Sequence, residues 1–254
     1  MKDYLFEGQP ILTLEGVTKR FGGVVAANNV NIKLYKKEVF GLIGPNGSGK
    51  TTILNIINGI MMLDSGKIIL EDNDITKYPM HKRAKSGIAR TFQHPRLLGR
   101  CDIETNILIG IDLANKRRLP ESKAYRDHMN SLLEVAGLKD INILDSIEQL
   151  SYGQQKMIEI VRALLSKPKV LLLDEPAAGL NYTELNYIRG LIEIAVSENI
   201  AVLLIEHTMD LVMEVCDQIT VLNFGHQIAG GAPEEIQENE IVIAAYLGGG
   251  GQDT

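Results

Sequence analysis

Three stretches of this 254-residue chain carry residues whose types and spacing could do chemistry: GPNGSGKT at Gly44–Thr51, LSYGQQ at Leu150–Gln155 and VLLLDEP at Val170–Pro176. A triphosphate presents many oxygens that need short-range donors. Gly44, Gly47 and Gly49 would let backbone N–H groups converge on them without side-chain obstruction. Lys50 would bring charge to the β- and γ-phosphates, the Thr51 hydroxyl suits Mg2+, and a following helix would add the positive end of its dipole. The expected nucleotide-binding loop is thus Gly44, Pro45, Asn46, Gly47, Ser48, Gly49, Lys50, Thr51 and Thr52.

The second chemistry is acidic. Val170–Leu173 is a continuous apolar run, as expected of a strand covered on both faces, and it delivers Asp174 and Glu175 side by side. Two adjacent carboxylates need a cation or a proton. The direct division is Asp174 toward Mg2+ and Glu175 as the group that orients or deprotonates an attacking water. Between loop and acids, Ser151 can cap a helix whose N-terminus is open to an anion. Met157, Ile158, Ile160, Val161 and Leu164 would form its apolar side, with Gln154, Gln155, Glu159 and Arg162 on the other. Taken alone, any capped helix could present that pattern.

These residues need a scaffold of short strands and helices. Ile11–Val17, Val30–Leu34 and Val39–Ile43 read as strands, the last feeding the glycine-rich loop, and Lys50–Ile60 reads as a helix. A hairpin-rich antiparallel element is expected around Lys67–Leu70, and a strand over Ile88–Phe92. From about Leu97 to Leu150 the β-character fades into a mostly helical insertion. Beyond it come helix Ser151–Leu165, strand Val170–Leu173, helix Thr183–Val196, strand Ala201–Ile205, helix Met209–Val215 and strand Gln218–Leu222. Such alternation implies crossovers and a mostly parallel sheet, which binds ligands beyond the carboxyl ends of its strands. Gly44, Asp174 and Glu206-His207 all stand at such ends.

Composition narrows the classes further. The net charge of −6 argues against a general basic field for nucleic acid, and 45% apolar content is ample for a core. The basic groups Lys82, Arg83, Lys85 and Lys116, Arg117, Arg118 read as solvated faces or loops. Cys101 and Cys216 have neither disulfide-framework nor zinc spacing, which fits a reducing compartment. Without a long apolar run or a leader-like start, the chain is expected neither to span a membrane nor to be secreted. A role in a membrane process would require docking onto other subunits.

Taken in order, these stretches resemble the motifs of ATP-binding cassette (ABC) ATPases, from Ile11 to about Leu247. LSYGQQ looks like the signature motif, with Tyr152 where glycine is commoner; Ser151, Gly153 and Gln154 would then act in trans on a nucleotide held by a second cassette. Gln93, in ARTFQ, resembles the Q-loop glutamine that approaches Mg2+ and the water. His207, in LLIEHT, resembles the switch histidine, and Phe21, in KRFGG, takes the place of the aromatic that stacks on adenine. By itself Phe21 reads as a core residue. His81, His94, His128 and His226 match no motif and are expected at the surface. Asn181 departs from the usual D-loop aspartate but can cap the next helix with Glu184.

The resemblance implies an α/β P-loop NTPase fold with a mostly parallel core sheet, an antiparallel β-subdomain and an α-helical subdomain. Its span would be a single ATPase domain at residues 8–247, containing the helical signature subdomain at about 94–165, with a flexible tail at 248–254. ATP and Mg2+ are the implied cofactors, with the metal at Thr51, Gln93 and Asp174 and catalysis at Glu175, His207 and Gln93. Implied partners are a second cassette, identical or paralogous, membrane permease subunits inserting a short helix near Gln93 and His94-Pro95-Arg96, and indirectly a substrate-binding protein. No nucleic acid is expected. The implied location is the cytoplasmic face of the cell membrane. Within the family, ARTFQ, LSYGQQ, DEPAAGLN, LLIEH and AAYLG are similar to the branched-chain amino acid uptake branch. Urea or amide uptake and lipopolysaccharide export use similar surroundings. Soluble cassettes usually carry paired cassettes, coiled coils or zinc modules, and a kinase or GTPase would leave LSYGQQ unexplained.

Overall fold

The computed structural model describes residues 8–112 and 123–247. The tail expected at 248–254 and the run Lys116-Arg117-Arg118 lie outside the described residues. The chain begins with β1 (Leu12–Phe21), β2 (Val24–Leu34), β3 (Val39–Ile43) and α1 (Lys50–Asn58). β4 (Ser65–Leu70), β5 (Asn73–Asp74), α2 (Met80–Ser86) and β6 (Ile88–Arg90) follow, then α3 (Ile103–Asp112), α4 (Lys123–Val135) and α5 (Tyr152–Leu165). An alternating series comes next: β7 (Val170–Asp174), α6 (Tyr182–Ser197), β8 (Ala201–Ile205), α7 (Met209–Val215) and β9 (Gln218–Asn223). β10 (His226–Gly231), α8 (Pro233–Gln237) and α9 (Glu240–Leu247) complete it.

Among the described residues these strands form two sheets. One has six strands in the order β10-β9-β3-β8-β7-β6, parallel except for β10 at its edge. The other has four antiparallel strands in the order β2-β1-β4-β5. The middle of the parallel sheet is covered on both faces: β3, β7 and β8 are buried at every position, and only Asp174, at the end of β7, is charged among them. Leu171 and Leu173 of β7 pack into the core shared with α5 and α6, whereas Val170 and Leu172 join α1 and the antiparallel sheet. Each fully buried leucine there is worth about 1.5–3 kcal/mol. Ile103, Ile107, Met129, Leu132 and Leu133 belong to the same core as Leu171, so the helical insertion is packed onto the sheet.

Several local expectations change. The strand at Ile88 ends at Arg90, because the chain then turns toward the cleft, although Thr91 N–H still bonds Leu172 O at 2.9 Å. Ser151 stands outside its helix as the N-cap. Arg83 is no solvated charge: it is 0% exposed, and its guanidinium donates to the carbonyls of Ile56, Ile57, Tyr78 and Thr76. Two of those carbonyls belong to the last turn of α1, where helix geometry leaves carbonyls short of partners; Ile56 O also accepts the N–H of the capping Gly59 at 3.2 Å. Lys82 and Lys85 are exposed, as expected. His128 is only half-exposed, beside Glu198 at 3.4 Å, whereas His81, His94 and His226 are at the surface.

Candidate functional site

The glycine-rich loop leaves β3 and enters α1, and its glycines are required for different reasons. A Cβ on Gly44 would meet Leu222 O at 2.0 Å and one on Gly49 would meet Ala26 O at 2.1 Å, so the loop is clamped between β9 and β2. A Cβ on Gly47, at φ 78°, would meet nothing within 4 Å. Gly49 caps α1 with no side-chain hydrogen bond, which leaves the helix N-terminus free for an anion. Lys50 curls into the loop, its Nζ donating to Gly44 O at 2.7 Å and Pro45 O at 3.0 Å. Burial lowers its pKa, opposed by the charges of Glu175 and Asp174. Thr51 is exposed and Thr52 half-buried. The Ser48 N–H turns back onto Pro45 O at 3.1 Å, and a glycine-rich loop wrapped around a lysine ahead of an uncapped helix suits a polyphosphate.

Facing this loop, a cleft of about 1020 Å³ is lined by Gly44, Pro45, Asn46, Ser48, Gln93, Glu175 and His207. Gln93 Nε2 donates to Glu175 Oε2 at 2.8 Å, and His207 Nδ1 lies 3.8 Å from the same oxygen. Glu175 has φ 47°, a left-handed conformation that is uncommon for a long side chain and marks local strain. Asp174 lies beneath, ion-paired with Arg90 at 2.7 Å, and Arg90 also reaches Asn55 at 2.8 Å.

Three buried charges hold the loops around the cleft. Lys156 Nζ donates to the carbonyls of Glu175, Pro176 and Ala178 at 2.7, 3.1 and 3.1 Å. Glu206 is 0% exposed and accepts from the N–H groups of Ala177, His207 and Thr208. Glu159 accepts from the N–H groups of Phe92 and Arg96, which flank Gln93, and burial raises its pKa. Glu159 stands opposite the apolar side of α5 as expected, but that position is buried, 1% exposed, rather than solvated. Met157, Ile158, Ile160, Val161, Ala163 and Leu164 are buried around more than one face of α5, so the polar residues between them cannot all reach water. That breadth was the signal available in the sequence.

Ser151 and Gln154 form a reciprocal capping box at the start of α5, at 3.2 and 2.9 Å. Asn181 and Glu184 do the same for α6, as expected. A Cβ on Gly153 would lie 2.0 Å from Glu184 Oε1. Ser151, Gly153 and Gln154 do not line the cleft, but Tyr152 reaches toward it, its hydroxyl donating to Gln93 O at 2.8 Å. Phe21 also lies off the cleft, 46% exposed at the end of β1, with Lys19 Nζ 5.6 Å from its ring; it is not a core residue. Sequence reasoning missed the other wall, formed by Asn223, Phe224 and Ala244-Ala245-Tyr246. Tyr246 lines the cleft together with Gly44, and the Gly44 backbone opposes the rise that burial gives the Tyr246 pKa, which sets α9 beside the glycine-rich loop.

With this geometry in view, comparison with known proteins is specific. A family model described as "ABC transporter" matches residues 27–178, and one described as "Branched-chain amino acid ATP-binding cassette transporter" matches residues 226–251. The chain is 41% identical to the high-affinity branched-chain amino acid transport ATP-binding protein BraF of Pseudomonas aeruginosa, over 94% of this chain and 98% of that one. It is 40% identical, with the same coverage, to the protein LivG of Escherichia coli K12, which bears the same description. A crystal structure of the ADP conformation of an ATP-binding cassette of an ABC transporter superposes with a TM-score of 0.81 at 31% identity, over 95% of this chain and 100% of that one.

Proposed function

The chain belongs to the ABC transporter family as an ATP-hydrolysing subunit, and from that membership we propose that it drives uptake of branched-chain amino acids through a membrane permease. The observation that carries the enzymatic part is the convergence of Gln93, Glu175 and His207 on one cleft beside Gly44–Thr51. The cargo is supported by the names of the relatives and by the family match at residues 226–251.

In this reading Gly44–Thr52 bind the phosphates, Lys50 turning from the loop carbonyls to the β- and γ-oxygens, and Phe21 stacks on the adenine. Glu175 accepts the proton of the attacking water or orients it, Gln93 holds that carboxylate, and His207 contacts the γ-phosphate. Thr51, Gln93 and Asp174 supply the hard oxygen donors that suit Mg2+, which would neutralise charge on the transferring phosphoryl group. Ser151, Gly153 and Gln154 face the nucleotide of a second cassette, a copy or a paralogue, so ATP favours the closed pair and hydrolysis releases it. The permease docks near Gln93 and His94-Pro95-Arg96; a groove of about 840 Å³ lined by Tyr78, Met80, Arg90, Phe92 and Arg162 opens beside that segment through Phe92, although Gln93, His94, Pro95 and Arg96 do not line it. Arg90 thereby touches both the groove and Asp174. In this reading the subunit is held at the inner face of the membrane by its partners; among the described residues no helix is long and apolar enough to cross a membrane.

Size-exclusion chromatography with ATP tests the reading. Glu175→Gln is expected to bind ATP, to accumulate as a dimer and to hydrolyse about 100-fold or more slowly, as loss of a catalytic base does. Lys50→Ala should bind ATP poorly and stay monomeric. Native-rate hydrolysis by Glu175→Gln would refute the assignment.

A further inference from the structure

Tyr152 fills the meeting point of two loops and the start of α5. Its hydroxyl donates to Gln93 O at 2.8 Å, and its ring meets the His94 ring edge-on with centroids 6.4 Å apart. Lys156 Nζ lies 5.3 Å from the ring centroid, and a Cβ on Gly179 would stand 3.5 Å from Cε1. The side chain of Gln93 in turn donates to Glu175 Oε2 at 2.8 Å. Tyr152 is also the first residue of α5, adjacent to the Ser151 cap. Two hydrogen bonds through one residue thus join the N-terminus of α5 to the Glu175 carboxylate.

We propose that the Tyr152 hydroxyl is a positioning group that fixes the Gln93 backbone, sets the Gln93 amide against Glu175, and so couples the signature helix to the chain's own hydrolytic site. The proposal deepens the reading above and rests on its assignment of Ser151 and Gly153 to the nucleotide of a second cassette. Tyr152 sits on the short segment that would sense that nucleotide, while Gln93 serves the nucleotide of its own loop. Engagement at one site would then be felt at the other through a carbonyl held in one orientation. Glycine at position 152 has neither ring nor hydroxyl and cannot make the link.

Tyr152→Phe keeps the ring and its contacts but removes the donor. With the full chain, kcat for ATP hydrolysis is expected to fall about fivefold, the consequence of losing one such hydrogen bond, while KM stays unchanged and the thermal midpoint falls by no more than about 4 °C. In a Gln93→Ala background, where no amide remains to be set, Tyr152→Phe should cost nothing further. A Tyr152→Phe enzyme with native kcat would overturn the proposal. So would the same fivefold loss added to that of Gln93→Ala, since it would show that Tyr152 acts independently of Gln93. Hydrolysis by Lys50→Ala at the native rate would instead count against the underlying site assignment, because that variant leaves Tyr152 and Gln93 intact.

Discussion

Lys156 is a cation with no carboxylate hydrogen-bonded to it; it stabilises a turn by donating to three loop carbonyls after β7, those of Glu175, Pro176 and Ala178. That turn contains Glu175 in its left-handed conformation, and the Glu175 N–H is held by Ile205 O at 2.9 Å. Lys156→Met would retain the aliphatic stem and leave those carbonyls unsatisfied. We expect a loss of about 3 kcal/mol in chemical denaturation, in the range for breaking a buried charged network, together with slower hydrolysis. Equal stability of the variant would mean that water replaces the ammonium. The sequence displayed Glu175, His207 and Gln93 because each stands at a strand end or within a recognisable run. It concealed Lys156 and Glu159, because a charged residue reads as solvated until the elements around it are placed; Glu206 was visible at its strand end, but its role in holding the flanking loops was not.

At the scale of elements, α1 is fixed at both ends by different chemistry. Its N-terminus starts from clamped glycines, and its C-terminus is held by Arg83 from α2. Burial drops the Arg83 pKa to about 10, still far above neutrality, so the charge persists. Arg83→Met should lower stability by about 3 kcal/mol, which corresponds to about 6–12 °C in a thermal melt of a chain this size. ATP binding measured well below that midpoint should survive, because Arg83 does not line the cleft. Strands β3, β7 and β8 were legible since each is a continuous apolar run ending in a polar residue. α9 was not, because EIVIAAYL is apolar all round and offers no period from which to choose a face. Nor did any local signal indicate that Tyr246 would come to rest on Gly44.

Across the whole molecule, the parallel sheet separates two chemistries. The cleft lies beyond the carboxyl ends of β3 and β7, while Glu38 is buried at the opposite end of β3, near Asp217. Burial pushes the Glu38 carboxyl up from 4.5 to about 8. The folded chain therefore keeps a proton that the unfolded chain releases, and stability falls as pH rises through that interval. Urea titrations across it should show a decline that Glu38→Gln removes, since the amide still accepts the Tyr35 N–H seen at 2.6 Å. Fold class followed from the alternation of strands and helices. Strand order did not, because it depends on where each crossover lands, and the crossovers are set by packing between distant segments.

The close approach of Gly153 to Glu184 bears on how genetic data for this chain should be interpreted. Position 153 is constrained from within the molecule, since any side chain there would displace the carboxylate that caps α6 at Asn181. An inactive substitution at Gly153 is therefore not, by itself, a report on contact between two chains. A suppressor that shortens Glu184 would expose an internal steric origin, and only a defect that survives such shortening belongs to the shared nucleotide.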